Sequence, residues 1–451
     1  MSSIDIPTQA SRFTLNELVI ISKTGKIDIS KIYEEINIFD SILSPVLSGV
    51  IGINDSVGLS QKLVFDGSEV LLVNIGKDSD SSSLRLKKAF RIYKQSERQN
   101  LTQNSEKYNL EFVSDEFIFS DQQRINQSYN ATYSDIVKRI LTDYLKAPST
   151  KLNGSFENTS GIRDIVIPNL KPIEAIEWCA KRSVDGNKSP NYMFFENNVG
   201  FNYASLSSLL SEKELFEIKF TAKNLDIDRN AVEELLSPRG YEVINQTDKI
   251  KQTRSGVNAG TFIGFDPVTR SVSTKKIGYE DHYNAMKHGN DTPNLAQSKD
   301  RNNKLATEAY DSKKSVSIFG FNRKNSAYIK KYDPTSLSKV ETQEDFVFQR
   351  KAIISNLMNR RIKLTMPGNF QLTSGFNLNM RIPDFAIKET GNDDNEDRAL
   401  SGKYLIIASR HIIGMEKHET VLEIASTSSK LGFIPQGTQD QNQQLKTYGS
   451  Y

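Results

Sequence analysis

Hydrophobic side chains recur at every second position near both ends of this chain, and that period constrains the fold more than any other feature. Ile362, Leu364 and Met366 alternate up to a turn at Pro367-Gly368-Asn369, and Leu378, Met380 and Ile382 alternate up to Pro383. Side chains that return to one face every two residues make half-buried strands, not helices. Lys403 to Ile413 and His418 to Ser426 read as a hairpin across Gly414-Met415, where a leading Gly suits a type II′ turn. That turn places Ile413 opposite Glu416, Arg410 opposite Glu419, Ile407 opposite Leu422 and Leu405 opposite Ile424, a register that pairs apolar with apolar and charge with opposite charge.

The N-terminal part has the same texture. Phe13–Ser22, Ile27–Phe39, Val46–Asn54, Val70–Ile75, Leu84–Tyr93 and Tyr108–Val113 are strand candidates, separated by Lys23-Thr24-Gly25, Asn54-Asp55, Asp66-Gly67 and the polar run Asp78–Ser83. Six short strands at this spacing indicate a small barrel or sandwich.

Between these blocks the period changes. Ile136, Val137, Ile140, Leu141, Tyr144 and Leu145 share one stripe of a helix, with Ser134 placed to cap it and Pro148 beyond its end. Pro172 opens a second helix bearing Ile173, Ile176 and Ala180, with Trp178 and Cys179 within it. Tyr192–Phe195 and Val199–Tyr203 make a hairpin through Asn197-Asn198. Strand text returns over Lys219–Tyr241 and Val243–Ile277. His282 to Thr342 is polar, a length that suits a functional loop or an element ordered by a partner. Thr342 and Asp345 resemble a capping box for a helix carrying Phe346, Val347, Ile353, Ile354, Leu357 and Met358. The expected organisation is a β-barrel over 12–118, an α+β domain over 119–213, the start of a second barrel plus a long polar insertion over 214–344, its helix and remainder over 345–430, and a polar tail over 431–451.

Charge and chemistry then exclude more than they offer. Lys and Arg number 58 against 55 Asp and Glu, a net of +3, too even for a chain whose main work is neutralising phosphates. The single Cys179 excludes an intramolecular disulfide or a cysteine-cluster zinc site. Met1–Arg12 has no basic run followed by an apolar stretch, so no secretory signal is expected, and no window has the length of a spanning helix. P-loop, G-x-G-x-x-G, G-x-S-x-G and zincin spacings are all missing. Asp226, Asp228 and Asn230 have the start of a calcium-loop spacing, but Ala231 replaces the required Gly and Ser237 the bidentate Glu, so Asp228 reads as a helix cap. His411 and His418 stand opposite each other in the hairpin with no third ligand, and read as sheet histidines. His282 and His288 read as solvated, and Trp178 and Cys179 as core. Arg85, Lys87, Lys88, Arg91, Lys94 and Arg98, interleaved with Phe90 and Tyr93, read as the solvated face of a strand, or more sharply as a face turned to a lumen or partner. No catalytic, cofactor-binding or metal-ligating residue is assigned.

Tyr33-Glu34-Glu35-Ile36-Asn37-Ile38, Ser48-Gly49-Val50-Ile51-Gly52-Ile53-Asn54-Asp55 and Asp66-Gly67-Ser68-Glu69-Val70 resemble the first barrel of baseplate hub proteins from contractile-tailed phages. Met366-Pro367-Gly368-Asn369, Ser374-Gly375, Ser401-Gly402-Lys403-Tyr404-Leu405-Ile406 and Thr420–Ala425 resemble the second barrel of that family. The resemblance implies a mainly β fold with two tail-tube-like β-barrels and an α+β middle domain. It further implies a homotrimer whose six barrels form a ring joining a six-fold tail tube protein to a three-fold central spike protein. Tape measure and baseplate wedge proteins are further partners by the same resemblance. No cofactor, membrane binding, sequence-specific nucleic-acid binding or catalysis is expected, and the expected location is the virion tail baseplate, after assembly in the host cytoplasm. The rival readings are a tail-associated peptidoglycan hydrolase, whose carboxylate pair would leave no local spacing, and a surface carbohydrate-binding β module.

Overall fold

The alternating segments form strands, and the chain is mainly β with helices concentrated in its middle. A computed structural model describes residues 12–220 apart from 64, 77–84, 104 and 188, then 234–246, 248, 250, 254, 259–266, 270–278, 287–290, 292–293, 316–321, 347–383 and 396–430 apart from 398. The Asp226–Asn230 spacing, His282, the Thr342–Asp345 helix start, most of the polar insertion and the tail lie outside the described residues.

The first block contains β1 (Thr14–Ser22), β2 (Gly25–Asp28), β3 (Tyr33–Ser41), β4 (Ser48–Asp55), the one-turn α1 (Leu59–Lys62), β5 (Val70–Gly76), β6 (Leu86–Thr102) and β7 (Ser105–Val113). The middle contains α2 (Asp115–Asp121), β8 (Ser128–Ala131), α3 (Tyr133–Arg139) continuing as a π turn over Ile140–Tyr144, β9 (Arg163–Val166), α4 (Pro172–Ala180), β10 (Tyr192–Glu196), β11 (Phe201–Ser205) and α5 (Leu206–Ser211). The remainder contains β12 (Glu214–Lys219), β13 (Gly240–Asn245), β14 (Ala259–Asp266), β15 (Ser271–Gly278), β16 (Thr292–Pro293), β17 (Val316–Phe321), α6 (Val347–Leu357), β18 (Arg361–Pro367), β19 (Asn377–Arg381), β20 (Gly402–Gly414), β21 (His418–Ala425) and β22 (Ser428–Ser429). Among these, no helix is long and apolar enough to cross a membrane.

Several local expectations are corrected. Ile27–Phe39 is not one strand: the Asp28 carboxylate accepts the Ser30 N–H at 2.8 Å, and this turn separates β2 from β3. The helix cap is Thr132, whose Oγ1 accepts the Asp135 N–H at 3.2 Å, while Ser134 turns inward to Thr159. In the C-terminal hairpin the Gly414 N–H donates to the Lys417 carbonyl at 2.9 Å, so Gly414 closes the ladder and Met415-Glu416 form the loop. Ile413 therefore faces His418, Arg410 faces Val421 and His411 faces Thr420, and beyond a bulge at Ile407 Leu405 faces Ala425. Because the slip near the turn is two residues, inward positions stay inward, which is why the apolar pattern could not reveal it.

Two blocks of the chain repeat one topology. The order β3-β4-β7-β6-β5 recurs as β13-β18-β21-β20-β19, with every neighbouring pair antiparallel. The register repeats as well: Ser48 faces Val113 in the first block as Arg361 faces Ala425 in the second. Tyr108, Leu110 and Phe112 fill one core, and Leu364, Leu422 and Ile424 the other. The repeat ends at the next strand, where β1 meets β5 antiparallel but β12 meets β19 parallel.

One strand joins the two blocks. Gly402–Leu405 of β20 pairs with β19, the bulge at Ile407 follows, and Ala408–Gly414 pairs with β3 on the same side. A bulge bends and twists its strand, which lets one strand serve two differently directed partners. The result is a single 13-stranded sheet through both cores. The middle elements build their own core around Ile136, Ile140, Ile176, Cys179 and Tyr203.

Candidate functional site

The β3–β20 seam carries a buried polar cluster. Asp40 on β3 accepts the Ser409 N–H at 3.1 Å and Oγ–H at 2.6 Å, the Ser374 N–H at 3.3 Å and the Thr373 hydroxyl. Burial pushes its carboxyl up to about 6, and these hydrogen bonds limit the rise. Ser409 Oγ lies 3.5 Å from His411 Nε2, and His411 Nδ1 lies 3.1 Å from Thr420 Oγ1 and 3.3 Å from His418 Nε2. Burial lowers His411 to about 3, so its ring is neutral at ordinary pH. The two histidines expected to face one another are therefore diagonal neighbours, still in contact and packed against the tilted ring of Phe370.

Asp, Ser and His in contact invite comparison with a nucleophile triad, and the order of contacts is wrong for one. A triad has the imidazole between hydroxyl and carboxylate, so that the base takes the hydroxyl proton. Here the hydroxyl lies in the middle and already donates to Asp40. Ser409 is also only 3 % exposed. The cluster does what buried polar networks do: it fixes one register between two strands distant in sequence.

A second cluster ties the first block to the helical middle. The buried Glu196 carboxylate meets Lys151 Nζ at 3.2 Å and Lys88 Nζ at 3.6 Å, and accepts the Leu47 N–H at 3.2 Å. Lys151 also reaches Glu116 at 2.6 Å. Burial raises a carboxyl, but the two ammonium groups and the hydrogen bonds outweigh it and hold Glu196 below its usual range. Lys88 thus departs from its expected place on a solvated face. The local sequence signal for this cluster is Glu196, the one charged residue in strands β10 and β11.

The opposite face of the long sheet is tiled with cross-strand ion pairs. Lys94 meets Glu111 at 2.8 Å, Lys107 meets Glu34 at 2.5 Å, Arg361 meets Glu423 at 2.7 Å and Lys363 meets Glu242 at 3.5 Å. Exposed pairs contribute only about 0–1 kcal/mol each, so their main effect is to cancel charge locally. Of the basic run, Lys94 is thereby paired within β6–β7, Arg98 meets Glu106 at 2.8 Å on the other face of β7, and Arg91 meets Asp115 at 2.8 Å. On the tiled face, across the seam, lies an open groove of about 390 Å³ flanked by Phe39, Arg410, Val421, Glu423 and Ile244. His288, expected to be solvated, is half-buried with Nδ1 3.3 Å from Thr427 Oγ1. Nearby, Asn290 bridges β20 and Ser428.

No protein-family model matches the chain. No curated protein matches its sequence. Among solved structures it is similar to the 43 kDa tail protein of prophage MuSo2 from Shewanella oneidensis, at 7% identity and TM-score 0.51, covering 91% of this chain and 98% of that one. It is also similar to a tail protein from Neisseria meningitidis MC58, at 10% identity and TM-score 0.49, covering 92% and 97%. A component of the E. coli type VI secretion system matches at 9% identity and TM-score 0.41, covering 94% and 79%. At such identity the likeness to the prophage protein is one of fold.

Proposed function

We propose that this chain is a structural subunit of a phage-tail-type assembly: a baseplate hub, three copies of which close a ring between a six-fold tail tube and a three-fold central spike. The observation that carries the reading is the repeated five-strand block joined through β20 into one sheet. Two alike blocks per chain give a three-chain ring six alike positions, which is what matching three-fold to six-fold symmetry requires. The fold shared with the prophage tail protein supports the same reading. The ion-paired face would line the channel, where charges already cancelled offer a passing polyanion little to hold it. Binding, not catalysis, is the activity; the tail tube, spike, tape measure and wedge proteins are the proposed partners, and the virion baseplate the proposed location.

Light scattering on the purified full chain, alone and mixed with a tail tube protein, tests this. Three subunits per particle and a ring in electron micrographs are expected. A strict monomer under both conditions overturns the reading.

A further inference from the structure

The repeat that joins the two blocks inside one chain also specifies how two chains would join. The inner junction pairs β3, the first strand of the first repeat, with the distal half of β20, the long strand of the second. The counterpart of β3 is β13, and the counterpart of β20 is β6. In the inner junction β3 lies between β4 and β20, whereas β13 pairs with β18 alone among the described strands. Likewise β20 has β3 beside its distal half, whereas β5 leaves β6 at Arg91 and no described strand follows on that side.

We infer that β13 of one copy pairs antiparallel with the distal half of β6 of a second copy, reproducing between chains the β3–β20 junction within the chain. This rests on the ring reading above and names the surface that makes the ring. The repeat also fixes the register. Arg361 matches Ser48, so Tyr241, which faces Leu364, matches Ile36, which faces Ile51. Glu242 likewise matches Asn37, and Asn245 matches Phe39. On the other side Gln99, facing Lys107, matches Ile412, facing Glu419, while Asn100 matches Ile413 and Ser96 matches Arg410. Since Ile413 faces Ile36, Ile412 faces Asn37 and Arg410 faces Phe39, Asn100 is set against Tyr241, Gln99 against Glu242 and Ser96 against Asn245.

Both edges bear apolar side chains in solvent: Val243 at 37 % and Ile244 at 42 % exposure on β13, and Leu101 at 51 % on β6. An open edge of this length invites indiscriminate pairing. The register shifts in β6 at Ile92/Lys94, Ser96/Gln99 and Asn100/Thr102 give it an irregular outline that a flat strand does not fit. The contact is head-to-tail, different strands from each partner, so copies form a closed ring if their rotation closes and a filament if it does not.

Cysteine cross-linking of the full chain tests the pairing, because Cα atoms opposed across an antiparallel pair lie within disulfide range. Native Cys179 is buried with its thiol pushed up to about 12 and stays out of the reaction. Under copper–phenanthroline, Gln99→Cys with Glu242→Cys, and separately Ser96→Cys with Asn245→Cys, are expected to give a closed covalent trimer. Each single variant, and the out-of-register combination Ser96→Cys with Glu242→Cys, should give at least tenfold less. Trimers by light scattering without cross-linking in either in-register pair would overturn this interface and leave the ring reading standing. Cross-linked ladders running past three copies would support the pairing and overturn the ring. A monomer at every concentration, with and without tube protein, would overturn both.

Discussion

Asp40 and His411 share one hydrogen-bonded cluster through Ser409, and their titrations oppose each other. Asp40 is raised to about 6 in the fold, so the stability it contributes is present below its unfolded value near 4 and is lost as pH rises through 6. His411 is lowered to about 3, so its contribution is present above about 6.5 and is lost as pH falls toward 3. Between roughly pH 4 and 6 one slope offsets the other. In urea titrations Asp40→Asn should therefore steepen the loss of stability on acidification, and His411→Gln should make stability fall as pH rises through the same window; parallel profiles for both variants and the parent would refute the account. His418, in contact with His411, remains in both variants as a common background. Gly49 makes a steric prediction at this scale. A Cβ there would lie 2.4 Å from the Asn37 carbonyl oxygen and 2.3 Å from the Phe112 ring, so Gly49→Ala should cost about 1–3 kcal/mol, read as a lowered denaturation midpoint.

For single elements, caps and buried partners separate what local sequence sets from what packing sets. Thr132→Ala removes the bond to the Asp135 N–H and should cost about 1 kcal/mol, measurable by chemical denaturation. Glu196 on β10 reaches Lys88 on β6 and Lys151; because Lys151 keeps Glu116, Glu196→Ala strands the buried Lys88 ammonium and should cost about 3–5 kcal/mol. Adding Lys88→Met should recover part of that loss, and a double variant no better than the single one would show that Lys88 is not the stranded charge. Helix α4 was legible from Pro172 onward because a proline at the first turn is a local signal. The hairpin β20–β21 was legible as strands but not in register, because a two-residue slip preserves every inward face. The same slip turns the directly opposed histidines expected from the two-residue loop at Gly414-Met415 into the diagonal pair His411 and His418.

Across the whole molecule, the seam couples residues 333 to 369 positions apart: Asp40 bonds to Thr373, Ser374 and Ser409. A fragment ending before β20 would expose β3 as an open edge and leave Asp40 without those partners. Residues 12–213 expressed alone should therefore aggregate or unfold at markedly lower denaturant than the full chain, monitored by size-exclusion chromatography and circular dichroism. A soluble fragment with the parent's midpoint would show that the seam contributes nothing to the first block.

Sequence alone determined the strand class, the helical middle and the absence of familiar catalytic spacings, because periods of 2 and 3.6 and fixed motif spacings are local properties. The alternation of Ile362, Leu364 and Met366 needs no partner to be read. Only the tertiary structure decided that two blocks repeat one strand order, that β20 changes partner at Ile407, and that Lys88 is buried while its neighbours Lys94 and Arg98 are paired at the surface. Each of these depends on contacts between distant segments, and a strand's pattern states which face is buried without stating which strand lies beside it.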